Sequence, residues 1–171
     1  FVIMATANGT VKKTSLDQYS RPRSVGLRAV DLADGDHLVG TAIIDGSKDI
    51  MLFSSEGKAV RFSETDVRAM GRVSTGVRGM RLPEEHKVIS MVVPEEDGFL
   101  LTVCENGYGK RTKVTEFPTK GRGGKGMIAI QASDRNGPLV GATQLFSGDE
   151  IMLISDQGTM VRTRGDEVSV V

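Results

Sequence analysis

Lysine and arginine are the side chains in this sequence whose spacing could do chemistry, and that chemistry is the binding of phosphate groups. The 171 residues include 22 basic and 22 acidic side chains, so the formal net charge is zero. Three windows, residues 9–30, 57–82 and 107–132, nevertheless contain 17 of the basic residues and only four acidic ones. The remainder contains five basic and 18 acidic residues. The neutral total therefore conceals two segregated groups of charge.

The clustered cations predict binding to nucleic-acid phosphates. If the windows stack side by side, their lysines and arginines form one curved positive band, which suits a duplex. Single strands usually need exposed aromatic side chains, and only 5% of the residues are aromatic. No base-reading helix is indicated, so we expect binding without sequence readout. The predicted DNA-binding residues are Lys12, Lys13, Arg21, Arg23, Arg28, Arg61, Arg68, Arg72, Arg78, Arg81, Lys110, Arg111, Lys120, Arg122 and Lys125.

A plainer interpretation of the same cations is a solvated strand face, and it competes with the band at any single residue. Recurrence of the charge in all three windows favours the band. On this interpretation, charge reversal at Lys13, Arg61 and Arg111 together is predicted to weaken duplex binding and flatten its salt dependence. The same change is predicted to leave the melting temperature nearly unchanged.

The run GRGGKG, residues 121–126, places basic side chains among four glycines. Its backbone amides could approach phosphate closely because glycine carries no side chain. No strand-to-helix context surrounds the run and no Ser or Thr follows Lys125, so a nucleotide-binding loop is not favoured. A flexible turn is the alternative.

Other reactive side chains are scattered. His37 and His86 fall in comparable loops far apart in the sequence, so a shared metal site is not expected. Cys104 follows an apolar run and is predicted to be a small core residue. Tyr19 and Tyr108 are predicted to be packing or surface residues. No spacing supports a catalytic triad, so we predict no catalytic residue, no metal, no cofactor and no small-molecule substrate.

Composition and the apolar segments limit the cellular environments that fit this chain. A single cysteine cannot form an intrachain disulfide, which favours a reducing cytoplasm. No apolar stretch approaches the roughly 18 residues that a membrane span needs, so no membrane partner is expected. The opening apolar residues lack the basic start of a signal peptide. Because the first residue is not methionine, we expect the chain to be a piece of a longer protein.

The elements that must position the cations recur along the chain. Four segments align: FVIMATANGTVKKT, IMLFSSEGKAVRF, FLLTVCENGYGKRT and IMLISDQGTMVRT, with shared glycines at 9, 57, 107 and 158 spaced 48, 50 and 51 residues apart. A second glycine marker recurs at Gly26, Gly76 and Gly126. We divide the chain into repeat 1 (residues 1–49), repeat 2 (50–98), repeat 3 (99–150) and a truncated repeat 4 (151–171).

Each full repeat is predicted to form about four short strands. Pairs such as Asn8-Gly9 favour a type I′ hairpin turn between the first two strands. Only residues 64–70 could form a helical turn. A four-stranded blade cannot bury both faces alone, so blades must stack. The sequence therefore predicts an all-β, propeller-like disc with three full repeats and part of a fourth.

The segments ATANGTVKKT, TGVRGMRL, ENGYGKRTKVTEFPTKGRGGKG and LVGATQL resemble the blades of the C-terminal domain family of DNA gyrase A subunits. The resemblance runs through essentially the whole chain. It implies a β-pinwheel in which neighbouring blades exchange strands, and which wraps duplex DNA on its basic rim. The resemblance also implies partners: the catalytic N-terminal core and gyrase B, in a bacterial, nucleoid-associated heterotetramer. ATP and Mg would be used elsewhere in that assembly, to introduce negative supercoils.

Some features depart from the family pattern and leave alternatives open. The family's glutamine-arginine-glycine box belongs to an earlier blade, and residues 122–126 echo its core without the glutamine. The related topoisomerase IV subunit has a similar but more degenerate domain, and the well-kept repeats favour gyrase. A protein-interaction propeller is the main rival of another class, although its usual signatures are missing. An enzymatic propeller would need convergent carboxylates or histidines, which the sequence does not offer.

Overall fold

The computed structural model describes all residues, 1–171, and contains no α-helix. Four short 3₁₀ turns occupy Leu16–Tyr19, Glu64–Asp66, Val114–Glu116 and Gly165–Glu167. The thirteen strands are β1 (Val2–Thr6), β2 (Thr10–Thr14), β3 (Leu38–Ile43), β4 (Asp49–Ser54), β5 (Lys58–Ser63), β6 (Val77–Arg78), β7 (Val88–Val92), β8 (Phe99–Cys104), β9 (Gly109–Lys113), β10 (Met127–Ile128), β11 (Leu139–Leu145), β12 (Glu150–Ile154) and β13 (Met160–Arg164).

The strands form four antiparallel sheets that follow the repeats. Their orders are β3-β1-β2-β6, β10-β5-β4-β7, β11-β8-β9 and β12-β13. In each four-stranded sheet, one edge strand comes from the following repeat: β6 pairs with β2, and β10 pairs with β5. The predicted all-β, propeller-like fold is confirmed, as is the exchange of strands that the family resemblance implied.

The turn between the first two strands of each repeat differs from the predicted type I′ geometry. The Gly9 amide donates to the Thr6 carbonyl at 3.0 Å, and Gly9 has a φ of +86°. Asn8 does not have a positive φ, which a type I′ turn requires at both central residues. The glycine instead ends a three-residue loop in the left-handed region. The prediction of the hairpin was correct and that of its turn type was wrong.

The two glycine markers meet where strands are exchanged. A Cβ atom on Gly57 would lie 2.3 Å from the Ile130 carbonyl oxygen, and one on Gly126 would lie 2.6 Å from the Ala59 carbonyl oxygen. The Gly57 carbonyl accepts the Ala129 amide at 2.8 Å. The marker glycines therefore allow the backbone of repeat 3 to lie directly against the hairpin of repeat 2.

The core lies between the sheets, and β4 shows how stacking buries both of its faces. Side chains alternate across a strand, so Ile50 and Leu52 enter one apolar cluster while Met51 and Phe53 enter the other. All four are fully buried. Each such side chain contributes roughly 1.5–3 kcal/mol on burial, which a single isolated blade would not gain.

The 3₁₀ turns were only partly expected from the sequence. One was predicted within residues 64–70 and is observed at Glu64–Asp66, where the Ser63 hydroxyl accepts the Thr65 amide at 3.2 Å. The equivalent turns in the other repeats were not predicted.

None of the helical turns has the length or apolar character needed to cross a membrane.

Candidate nucleic-acid interface

The sheet order separates two edges of the stack. On one edge, β7 contacts both β3 and β11. The exchanged strands β6 and β10 occupy the opposite side of their sheets. The loops that lead into or contain the second glycine markers, residues 20–30, 68–81 and 118–127, hold most of the predicted cations. We call these three loops the basic edge.

One hydrogen bond recurs between neighbouring loops of the basic edge. Arg72 Nη1 donates to the Arg28 carbonyl at 2.8 Å, and Arg122 Nη1 donates to the Arg78 carbonyl at 2.6 Å. Each donor lies four residues before the second marker glycine of its repeat, Gly76 or Gly126. Each acceptor lies two residues after the second marker glycine of the preceding repeat, Gly26 or Gly76. The equivalent contact twice in succession places the three loops side by side, in repeat order.

Nine of the fifteen predicted residues are exposed. Among them only Arg28 forms an ion pair, with Asp31 at 3.7 Å. Arg122 is exposed but engages the Arg78 and Asp66 carbonyls. Cations that are neither buried nor paired with carboxylates can accept a polyanion without first breaking internal contacts. The exposed residues are Arg21, Arg23, Arg28, Arg68, Arg78, Arg81, Lys120, Arg122 and Lys125.

Lys125 brings cations of two repeats together. It lines one cavity of about 270 Å³ with Lys58 and Arg81 of repeat 2, in which Glu56 is the acidic member and pairs with Lys58 at 3.4 Å. It also lines a second cavity of about 270 Å³ with Lys120 and the backbone of three glycines of the GRGGKG run. The run is also ordered by backbone contacts, since Gly123 donates to the Gly79 carbonyl at 2.9 Å.

Four predicted residues do not lie on an exposed surface. Lys12, Lys13, Arg61 and Arg111 are only 1%, 7%, 9% and 7% exposed. Placing them on the exposed band was wrong, because each lies on the second strand of a hairpin where a neighbouring segment covers it. The predicted absence of an effect on melting temperature at Lys13, Arg61 and Arg111 loses its basis for the same reason. Arg72 and Lys110 are intermediate in exposure.

Lys12 holds the loop of repeat 1 against that of repeat 2. Its ammonium group donates to the Ala29 carbonyl at 2.9 Å and also to the Arg72 carbonyl. Burial, followed by the nearby charge of Arg72, lowers the pKa of Lys12, and Asp31 opposes this shift. The side chain therefore links two loops of the basic edge from beneath.

The other three buried cations contact the next repeat. Lys13 Nζ donates to the Glu64 carbonyl at 3.0 Å. Arg61 Nη1 donates to the Val114 and Phe117 carbonyls at 3.3 and 3.0 Å. Arg111 Nε and Nη2 donate to the Val168 and Asp166 carbonyls at 2.8 and 3.1 Å.

Carboxylates also surround Arg61. Its Nε lies 2.8 Å from Asp49 Oδ2, and a second nitrogen contacts Glu96. Burial by itself lowers the pKa of Arg61, but the hydrogen bonds and charges of Glu96 and Asp49 outweigh it and raise the pKa overall. Arg61 is thus a permanently charged group with its donors already occupied. These contacts leave little capacity for phosphate.

A signal for these buried residues was present in the sequence. Lys13, Arg61, Arg111 and Arg162 each lie four residues after a hairpin glycine. In the sheets they face Ile3, Met51, Leu101 and Met152 on the neighbouring strand. A basic residue kept at one position among apolar neighbours indicates a repeated structural contact.

The remaining candidate side chains have local roles. His86 Nδ1 lies 2.9 Å from Ser55 Oγ. Tyr19 donates to the Ala29 carbonyl at 3.0 Å, and Arg135 lies 4.5 Å from the Tyr108 ring centre. Cys104 is buried, and burial raises the pKa of its thiol. No three His, Cys, Asp or Glu side chains are grouped so as to hold a metal ion.

Stacked antiparallel sheets that exchange strands, with cations gathered on one edge, define a repeat domain of the β-propeller type. The family model for the DNA gyrase C-terminal domain, beta-propeller, matches residues 1–45, 48–95, 98–144 and 149–171. The chain belongs to this family.

Similar proteins support the same assignment. The DNA gyrase A subunits of Pseudomonas aeruginosa and Escherichia coli are 58% and 56% identical to this chain over 170 residues, 99% of its length. The chain spans only 18% and 19% of these relatives. A solved DNA gyrase A C-terminal domain matches with a TM-score of 0.88 and 28% identity, covering 99% of this chain and 57% of that one. A solved DNA topoisomerase IV C-terminal domain matches with a TM-score of 0.93 and 25% identity, covering 99% and 54%.

Proposed function

We propose that this chain binds and bends duplex DNA along the basic edge, without reading base sequence and without catalysing a reaction. The observation that carries the proposal is the side-by-side order of three loops whose exposed cations are largely free of carboxylate partners. Cations at intervals along one edge match the repeating phosphates of a duplex. The segregation of acidic residues outside the three windows leaves this edge the favoured path.

The free-energy cost of bending DNA determines how much favourable binding energy the basic edge must provide. Bending 20–30 base pairs by 40–90° costs on the order of 1–6 kcal/mol. Release of counterions from the phosphates offsets this cost, with a slope of about −0.9 in log affinity against log salt for each phosphate neutralised. Two or three contacts from each loop would give roughly six to nine, which is enough for strongly salt-dependent binding.

In the parent protein we propose that the domain works within a bacterial gyrase. Its partners would be the N-terminal cleavage core of the same subunit and gyrase B, in a cytoplasmic, nucleoid-associated assembly. ATP and Mg would be used by those other parts. The names of the relatives support this setting, since they are DNA gyrase A subunits from bacteria.

Substitution of Arg78 and Lys125 together by alanine tests the edge. Both side chains are exposed and lack ion pairs, so their removal should delete two phosphate contacts and make the salt slope shallower by about 1.8. Fluorescence anisotropy with a labelled duplex at several salt concentrations measures the slope.

The matched control removes two cations outside the basic windows, Lys87 and Arg135, which precede β7 and β11. We expect this double alanine variant to keep the wild-type slope. Equal slopes for all three proteins would contradict the proposed edge. A wild-type chain that is not retained on duplex DNA at low salt would instead favour a protein-interaction role.

A further inference from the structure

The basic residue four positions after each hairpin glycine has the same surroundings at three successive junctions. Lys13, Arg61 and Arg111 each reach the 3₁₀ turn of the following repeat, where the side chain donates to backbone carbonyls. The Glu64 carbonyl also accepts the Val67 amide of its own turn, whereas the Phe117 and Asp166 carbonyls lack a partner within their turns and need an external donor. A buried cation satisfies them and is stabilised by them in return.

Arg162 is an internal control for this contact. It occupies the same position in repeat 4, where its side chain is 69% exposed. It turns to Glu150 on the adjacent strand of its own hairpin instead. Burial of Lys13, Arg61 and Arg111 thus accompanies their contacts with the following repeat and is not fixed by strand position alone.

The same three residues also bind the next repeat through their backbones. The Lys13 carbonyl accepts the Met70 amide at 2.8 Å, and the Arg61 carbonyl accepts the Lys120 amide at 2.8 Å. Arg111 exchanges backbone hydrogen bonds with Ser169 and Val171 at 2.8 and 2.9 Å. The first two contacts fall within the loops of the basic edge, between the 3₁₀ turn and the marker glycine.

We propose that Lys13 and Arg61 are positioning residues for DNA, which set the spacing between successive loops of the basic edge without touching phosphate. This inference rests on the proposed function. Each residue anchors the 3₁₀ turn through its side chain, and Lys13 and Arg61 anchor the start of the adjoining loop through their backbone. A loop held at both points presents its cations at one distance from those of its neighbour. Without the side-chain contact, the distance between the cations of neighbouring loops varies more, so a bound duplex must reorder the loops.

The test compares Arg61→Met with Arg61→Lys. Methionine keeps an unbranched apolar stem but removes every donor, whereas lysine retains a cation like that of Lys13 at the equivalent position. Duplex affinity, salt slope and the end-to-end fluorescence transfer of a doubly labelled duplex are measured well below the melting temperature. We expect Arg61→Met to bind about two- to thirty-fold more weakly and to bend the duplex less. Its salt slope should stay unchanged, because the exposed cations remain, and Arg61→Lys should recover most of the bending.

These readouts separate positioning from simple destabilisation. If Arg61→Met melts earlier but binds and bends the duplex like the wild type, the inference is wrong. A fall in salt slope of about 0.9, half that of the Arg78→Ala, Lys125→Ala double variant, would make Arg61 a phosphate contact and would also overturn the inference. If Arg61→Met does not fold, Lys13→Met provides the comparison, since it removes one side-chain hydrogen bond. Unchanged bending by a folded Lys13→Met would then refute the inference.

The proposed function fails separately. A wild-type chain without salt-dependent duplex binding would refute it before any variant is compared. Wild-type binding together with an unaltered Arg61→Met refutes the positioning role alone.

Discussion

At the scale of single residues, Arg61 and Arg78 show that cations of one repeat have two different environments. Arg61 lies under a neighbouring 3₁₀ turn, with carbonyls and two carboxylates around its guanidinium. Arg78 is exposed, and its side chain forms no hydrogen bond or ion pair, although its backbone carbonyl accepts Arg122 Nη1. Substitutions at the two positions should therefore be felt in different properties, stability for Arg61 and ligand binding for Arg78.

Charge reversal at Arg61 should destabilise the fold strongly. Arg61→Glu would place a carboxylate beside Asp49 and Glu96 and leave the Phe117 carbonyl without its side-chain donor. Breaking a buried ion pair typically lowers the free energy of unfolding by about 3–5 kcal/mol. Urea denaturation of the folded chain measures the change.

Arg162→Glu is the matched control, because it makes the same substitution at the same repeat position on an exposed side chain. We expect it to change the free energy of unfolding by less than about 1 kcal/mol. Similar losses in the two variants would mean that the next repeat does not bury Arg61.

The difference between Arg61 and Arg78 could not be inferred from local pattern. Both were predicted to bind DNA, since each lies in a window rich in basic residues. The group that covers Arg61 belongs to residues up to 56 positions later in the chain. A contact between residues so far apart in the sequence cannot be recognised from the residues around Arg61. The recurrence of a basic residue at this position of each repeat could have indicated the contact.

At the scale of elements, the exchanged strands join each hairpin to the repeat that follows. The positions of β6 and β10 directly after Gly76 and Gly126 were predictable from the second glycine markers, although no such strand follows Gly26. Their pairing with the previous hairpin came only from the family resemblance, since strand periodicity does not identify a partner. The turn type was misjudged because Asn-Gly also fits a loop in which glycine alone has a positive φ.

Alanine at Gly57 should test the close approach of the exchanged strand. Gly57 and Gly107 both have a φ of +88°, so alanine strains the backbone at each, by about 1–3 kcal/mol. A Cβ on Gly57 would also meet the Ile130 carbonyl at 2.3 Å, whereas one on Gly107 meets nothing within 4 Å. We expect Gly57→Ala to lower the melting temperature clearly more than Gly107→Ala. Equal losses would show that the exchanged strand can move aside.

At the scale of the whole molecule, a neutral chain carries its positive and negative charge in different places. The three basic windows contain 17 of the 22 lysines and arginines, and the remainder contains 18 of the 22 acidic residues. Net charge alone would have argued against a polyanionic ligand. The position of the charges within the repeat argues for a polyanionic ligand. Segments about 50 residues apart in the sequence become neighbouring loops when the repeats stack.

Duplex affinity of the wild-type chain should depend steeply on salt and little on sequence. With roughly six to nine phosphate contacts, the affinity should fall by about 10³ to 10⁵ between 50 and 200 mM salt. Anisotropy titrations of two unrelated duplexes of equal length measure both properties. A preference for one duplex that persists at high salt would indicate base readout and contradict the proposed mode.

The exchanged strand also determines how a force applied to the basic edge is distributed between repeats. Arg78 belongs to repeat 2 by sequence, yet its strand is hydrogen-bonded to β2 of repeat 1. A duplex bent along the basic edge, as proposed, would pull elastically on Arg78, and that tension would enter both repeats at once. Neighbouring blades would thereby be loaded as a pair, and the hydrogen bonds between β2 and β6 would oppose their separation.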